Sequence, residues 1–279
     1  FPEAGEHEAR TRAAGLHRWY VLRFASEEDL DKAAERLAGV AEISKVQFRT
    51  RLYRASDCKT YPFQATANGQ TRALVTADFN DPNLFWQWHY INNADQAVAT
   101  TSVAGADINV ADAWKLTAGN PEVIVAIVDE GVKYTHPDLA ANMWINKAEQ
   151  SGATGRDDDG NGYVDDIYGY NFTKETGELA FSAELMHGTH VAGTIAAVNN
   201  NGRGVCGIAG GRSNSGGVRI MSCQIMGNST TGGKGNPTVK AFEYAWTNGA
   251  IIAQNSWGYN LETADGTKIT PCLLYTSPS

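Results

Sequence analysis

Hydrophobic and polar positions fall into two different rhythms along the chain. Residues 18–24 read RWYVLRF, a run of aromatic and β-branched side chains that predicts a strand. Ser26 follows as an N-cap. The run EEDLDKAAERL then puts acidic residues in a first turn and Leu30, Ala33, Ala34 and Leu37 on one face, which predicts an amphipathic helix. Alternation returns over residues 43–48, with Ile43, Val46 and Phe48 apolar. Residues 1–50 therefore predict a β-α-β module, too small to be very stable alone. Residues 51–85 contain Pro62, Asn68-Gly69 and Asp81-Pro82 without sustained periodicity, and read as a linker holding the boundary between two modules.

From residue 86 the rhythm changes. Residues 107–116 read as helix, and residues 123–128 (VIVAIV) are a continuous apolar run, as expected of a parallel strand buried on both faces. Residues 190–198 (HVAGTIAAV) predict a small-residue helix and residues 218–226 a strand. A helix with Pro at its first turn follows over residues 237–248, and a strand over residues 251–255. Strand, helix and strand in this order imply crossover helices on a largely parallel sheet. The expected fold is α/β, an incomplete three-layer α/β/α sandwich over residues 86–271. No internal repeat is present.

Composition narrows the classes. The 279 residues are 42% hydrophobic and 19% charged, with a formal net charge of -8. No basic block stands out, which argues against a nucleic-acid partner, because phosphate backbones demand a positive face. No apolar run approaches the roughly 18 residues of a membrane span. Four cysteines, Cys58, Cys206, Cys223 and Cys272, are too few for a disulfide scaffold. They leave open whether Cys206 and Cys223 pair or remain buried free thiols, the latter being the default.

Three stretches carry chemistry. VAIVDEG places Asp129 at the carboxyl end of the buried strand, where parallel sheets gather their catalytic groups; alone, such an Asp could equally cap the next turn. HGTHVAGT, residues 187–194, places His187 at a helix start, with Gly188 and Gly193 allowing close backbone packing. His187 and His190 also have the three-residue spacing of a metal pair, but a zinc protease would want two His four apart with a Glu between them, and that pattern is absent. DDDGNGYVDD, residues 157–166, sets oxygen ligands at alternate positions around Gly162, like the calcium loop of an EF-hand. Its ligand set would be Asp157, Asp159, Asn161, the Tyr163 carbonyl and Asp166. Tyr168 stands where such loops carry a Glu, so a solvated acidic loop is the alternative.

Taken together, Val-Asp-x-Gly, His136-Pro137-Asp138-Leu139, HGTHVAGT and the segment Asn255, Ser256, Trp257, Gly258 resemble the subtilisin family of serine proteases over roughly residues 80–271. The resemblance implies that Asp129 orients His187, which acts as general base toward a serine. It implies that Ser256, Trp257 and Gly258 bind an extended peptide as an added strand, with residues 228–234 as the opposite wall. His190 would be a structural neighbour. Glu130 departs from the small Ser or Thr usual in the family, and would either add a carboxylate beside the pair or face solvent. Residues 1–50 resemble the family's propeptide, a folding assistant and temporary inhibitor. The further implications are structural calcium, with a second site around Asp138 and residues 198–205, peptide or protein substrates, the chain's own propeptide as a partner, and secretion or a cell-envelope location.

No Gly-Thr-Ser-Met-Ala type motif, the family's nucleophile signature, occurs in residues 1–279. Residues 272–279 (CLLYTSPS) resemble a translated sequencing adapter. The expectation is a precursor that is truncated before its serine and is inactive as given. The alternative is a natural non-catalytic calcium-binding or peptide-binding module of the same fold.

Overall fold

A computed structural model describes residues 30–46, 52–54, 79–95, 102–213, 215–227 and 237–259, together with Arg12 and Leu22. The chain divides into two compact units, Phe1–Arg51 and Leu52–Ser279. In the first, helix α1 spans Leu30–Ala38, inside the expected helix, and buries Ala33. Of the strand expected over residues 18–24, only Leu22 is among the described residues. The strand expected at 43–48 is not formed over residues 43–46, which follow a turn at residues 39–42 and pair with no strand among the described residues. Gly39 and Val40 donate back to the end of α1, and Ile43 donates to the Val40 carbonyl.

The second unit is built on a four-stranded sheet in which every neighbouring pair is parallel. Its strands are β2 (Ile124–Asp129), β3 (Gly169–Asn171), β6 (Arg219–Gln224) and β7 (Ile252–Gln254), in the order β3-β6-β2-β7. The apolar run has the meaning its pattern suggests, since successive residues of β2 bury on opposite faces. Ala126 and Val128 pack with Met221, Cys223 and the residues Ala241 and Tyr244 of helix α5 (Pro237–Thr247). Val125 and Ile127 pack with Ile220 and the residues Ala192 and Ala196 of helix α4 (His187–Ala196). One helix on each face makes the three layers.

Short elements that the pattern did not predict complete the unit: β1 (Leu52–Arg54), helix α3 (Lys147–Ser151), the hairpin β4 (Gly211–Ser213) with β5 (Ser215–Gly216), and β8 (Trp257–Tyr259). Helix α2 covers Val110–Leu116, three residues later than expected. Asp107 accepts backbone N–H groups from Asn92 and Asn109, and Asn109 takes a left-handed φ of 53°, so the preceding residues cannot be helical. Within residues 79–85, expected as the end of a linker, Leu84 is buried with Trp114 and Cys206 and Phe79 packs against them. Gly169 is demanded by packing, since a Cβ there would lie 2.0 Å from the Ser222 carbonyl oxygen. Cys206 and Cys223 are both buried free thiols, and burial pushes the thiol pKa of each upward. Among the described residues no helix is long and apolar enough to cross a membrane.

Candidate active site

The sheet register puts Asp129 opposite Gln224, and Gln224 opposite Asn171, in one row at the carboxyl end of β2, β6 and β3. All three side chains are buried. The loops beyond this row are fastened to it. Gln224 Oε1 accepts the Ala180 N–H at 2.9 Å, and a Cβ on Gly131 would lie 2.2 Å from the Ala180 carbonyl. Helix α4 begins beside this row, and its first residue is His187.

The two residues, 58 apart in sequence, meet. Asp129 Oδ1 lies 2.8 Å from His187 Nδ1. The same oxygen accepts the Glu130 backbone N–H at 2.7 Å, while Oδ2 has no hydrogen-bond partner among the described residues. The Asp129 side chain is 1% exposed and that of His187 13% exposed, so one edge of the ring reaches the surface. With Nδ1–H directed at the carboxylate, Nε2 is the ring's proton acceptor. The arrangement can take a proton at Nε2 and stabilise the resulting imidazolium.

Around the pair the structure resolves what the motif left open. Glu130 does not face solvent; it is buried, and its Oε2 accepts the His187 backbone N–H at 3.0 Å. Gly188 is a true close approach, since a Cβ there would lie 2.3 Å from the Glu130 carbonyl. Gly193 is not, because nothing lies within 4 Å of its Cβ position. His190 is exposed.

Of the peptide-binding residues, Trp257 and Gly258 lie on β8 and Ser256 directly precedes it. The Trp257 indole N–H donates to the Val128 carbonyl at 2.8 Å, tying this strand to the one that ends in Asp129. The Ser256 hydroxyl accepts from Gln254 Nε2 at 2.8 Å. Strand β8 is paired antiparallel with β1, with Tyr53 opposite Gly258 and Arg54 opposite Trp257. Residues 228–234 lie outside the described residues.

The acidic loop is organised differently from its sequence pattern. Asp157 is half-buried and turned inward on its own loop, accepting N–H groups from Gly160, Asn161 and Gly162. These bonds, Gly162 first, hold its carboxyl below the usual range. The carboxylates that converge are Asp159, Asp166 and Glu149, whose oxygens lie within 4.8 Å of one another. Glu149 comes from α3 and had no place in the sequence pattern. Its two oxygens accept the backbone N–H groups of Asp158 and Asp165, at 2.6 and 2.9 Å. Buried Asp166 is hydrogen-bonded by neutral donors only: Asn146 Nδ2, Asn161 Nδ2 and the Tyr244 hydroxyl at 2.6 Å. Burial pushes its carboxyl upward, and the nearby Asp159 charge adds to the shift. Crowded carboxylates with neutral partners suit a hard, oxygen-seeking cation such as calcium. Asn161 lies among them, its Nδ2 within 3.2 Å of Asp159 Oδ2, and its Oδ1 accepts the Tyr163 N–H at 2.7 Å.

A second acidic pair sits at the other end of the helix α4 layer. Asp138 accepts from Asn201 Nδ2 at 2.7 Å and the Val205 N–H at 2.9 Å. Asp81 accepts from the backbone of Asn200 and from Cys206 Sγ. Both are buried, and burial raises the Asp138 carboxyl against the lowering effect of its bonds from Val205 and Asn201, with a smaller push from the Asp81 charge. Asp81 lies in a stretch without periodicity, so no local signal announced it.

A buried carboxylate closing a parallel strand and bonded to an imidazole on a helix N-terminus has the geometry of an acid–base pair. The subtilase family profile, Peptidase_S8, matches residues 120–272, more than half of the chain, and the chain belongs to that family. It is 35% identical over 136 residues to subtilisin-like protease 1 of Plasmodium vivax, covering 49% of this chain and 20% of that protein. It is 31% identical over 194 residues to halolysin of Haloferax mediterranei, covering 70% and 29%. It is 31% identical over 156 residues to a halolysin-like extracellular serine protease, Nep, of Natrialba magadii, covering 56% and 24%. The chain thus spans under a third of the length of these relatives.

Proposed function

We propose that this chain supplies the acid–base pair of a serine-type endopeptidase, with Asp129 orienting His187 and His187 Nε2 taking the proton of the nucleophilic serine. The observation that carries this reading is the 2.8 Å contact between Asp129 Oδ1 and His187 Nδ1 at the carboxyl end of the sheet. His187 then returns the proton to the leaving amine, and Asp129 stabilises the imidazolium in between.

Peptide or protein substrates would be taken as an added strand by Ser256, Trp257 and Gly258. The pairing of β8 with β1 supports this, because an extended segment of the chain already lies on that edge. It also supports the stretch containing Leu52–Arg54 as an inhibitory segment, and residues 1–50 would be the propeptide that the family resemblance implies. Calcium would serve the structure, held by Glu149, Asp159, Asn161 and Asp166, with Asp81 and Asp138 as a second pair. Asp157 would shape the loop. Secretion is the location in keeping with this chemistry, and Nep, an extracellular protease by name, supports it.

The test is hydrolysis of an unfolded protein by the full-length enzyme, together with labelling by a serine-directed fluorophosphonate. Labelled, active protein is expected. Calcium-dependent peptide binding with neither labelling nor hydrolysis would favour the non-catalytic module instead.

A further inference from the structure

Helix α4 starts without a cap of its own. Its N-cap position is Met186, and no side-chain cap bond is made there. The first N–H groups of a helix have no intrahelical acceptor and need one from elsewhere. The acceptor comes from across the fold, since Glu130 Oε2 takes the His187 backbone N–H at 3.0 Å over 57 residues of sequence. Glu130 is 2% exposed. It is therefore a carboxylate withdrawn from water and placed at the positive end of a helix, where the aligned peptide dipoles favour it.

The same residue reaches the other half of the pair. Its backbone N–H donates to Asp129 Oδ1 at 2.7 Å, the oxygen that also holds His187 Nδ1. Its carbonyl fills the space next to Gly188, so the first turn of α4 rests directly on residue 130. Main chain and side chain of one residue thus grip both Asp129 and the residue that carries the imidazole.

We propose that Glu130 is a positioning residue, whose side-chain carboxylate fixes the first turn of α4 so that the His187 ring meets Asp129. The inference rests on reading Asp129 and His187 as the acid–base pair. An ordinary buried acid would affect stability; this one is placed to affect alignment, and a small misplacement of such a group can cost on the order of 100-fold in rate.

The proton shared between His187 Nδ1 and Asp129 gives the test, as a strongly deshielded proton resonance of the full-length protein recorded without substrate. Glu130→Gln keeps an oxygen acceptor of the same shape, whereas Glu130→Ala removes it. The resonance is expected to persist in Glu130→Gln and to broaden or vanish in Glu130→Ala, with a cooperative melt in both. In turnover, Glu130→Ala should lower kcat about tenfold or more at little-changed KM, and Glu130→Gln by no more than about threefold. Should Glu130→Ala fail to fold, Glu130→Ser, too short to reach the helix, takes its place. A sharp resonance and full kcat in the Ala or Ser variant would overturn the proposal, as would equal losses in Gln and Ala. Persistence of the resonance in Asp129→Asn would instead break the pair reading itself.

Discussion

The Asp129–His187 site and the acidic loop are both clusters of charge, yet they are held in opposite ways. The first is assembled by regular structure. A strand end and a helix start, 58 residues apart in sequence, are each fixed by the sheet and by its two packed faces. The second is assembled by a loop folded on itself, with Asp157 stapling three backbone N–H groups and Glu149 clamping two more. In the first, the buried carboxylate faces a group that can become positive. In the second, three carboxylates face neutral amides and a phenol. Alignment decides the behaviour of the one site, and countercharge that of the other.

If alignment is what matters at the first site, removing the carboxylate's charge while keeping its shape should be strongly damaging. Asp129→Asn in the full-length enzyme is expected to lower kcat by on the order of 10,000-fold, with folding intact. Retention of kcat within about tenfold would dissolve the contrast.

If countercharge is what matters at the second, calcium should stabilise it. At about 100-fold excess over its dissociation constant, calcium adds roughly 2.7 kcal/mol, or about 5–10 °C in melting temperature for a domain of this size. Glu149→Gln and Asp159→Asn are expected to abolish that increment, and Asp157→Asn to retain most of it. An increment lost in Asp157→Asn and kept in Glu149→Gln would restore the ligand set read from the sequence pattern. Calorimetry with and without a chelator distinguishes the two.

These differences track what could be read in advance. The sheet was legible because residues 123–128 must be buried on both faces, and such strands are apolar throughout. Asp129 and His187 were legible because their motifs lie on regular elements whose ends the pattern locates. Glu149 was not, because a ligand contributed by a five-residue helix outside the loop leaves no spacing to find. Asp81 was hidden for a related reason, since its neighbours pack through tertiary contacts instead of through periodicity. Strand β3 was missed because its three residues, Gly169, Tyr170 and Asn171, include the least strand-like of types, and packing against Ser222 overrides propensity.

The glycines of α4 give a smaller and more local break. Gly188→Ala places a methyl 2.3 Å from the Glu130 carbonyl, a backbone atom that cannot swing aside. A loss of about 1–3 kcal/mol is expected, together with lowered kcat, since the helix start itself must shift. Gly193→Ala meets nothing and should raise stability by about 0.5–1 kcal/mol through helix propensity. Equal effects at both positions, measured by denaturant melts, would mean that the first turn of α4 does not rest on residue 130.

The finest test lies where the acidic loop touches the core. The Tyr244 hydroxyl donates to Asp166 Oδ2 at 2.6 Å, and its ring meets Tyr163 edge-on with centroids 4.9 Å apart. Helix α5 is therefore fastened to the loop by one bond and one ring contact. Burial and the Asp166 charge keep the Tyr244 phenol protonated, so it remains a donor at ordinary pH. Tyr244→Phe keeps the ring and removes the bond, leaving a buried carboxylate with one donor fewer. Without calcium the loss should be about 1–3 kcal/mol, the cost of an unmet buried group. With calcium it should shrink, because the cation takes over the charge that the hydroxyl had been stabilising. A loss of the same size in both states would show that the phenol serves helix α5 alone and that loop and core are not coupled through Asp166.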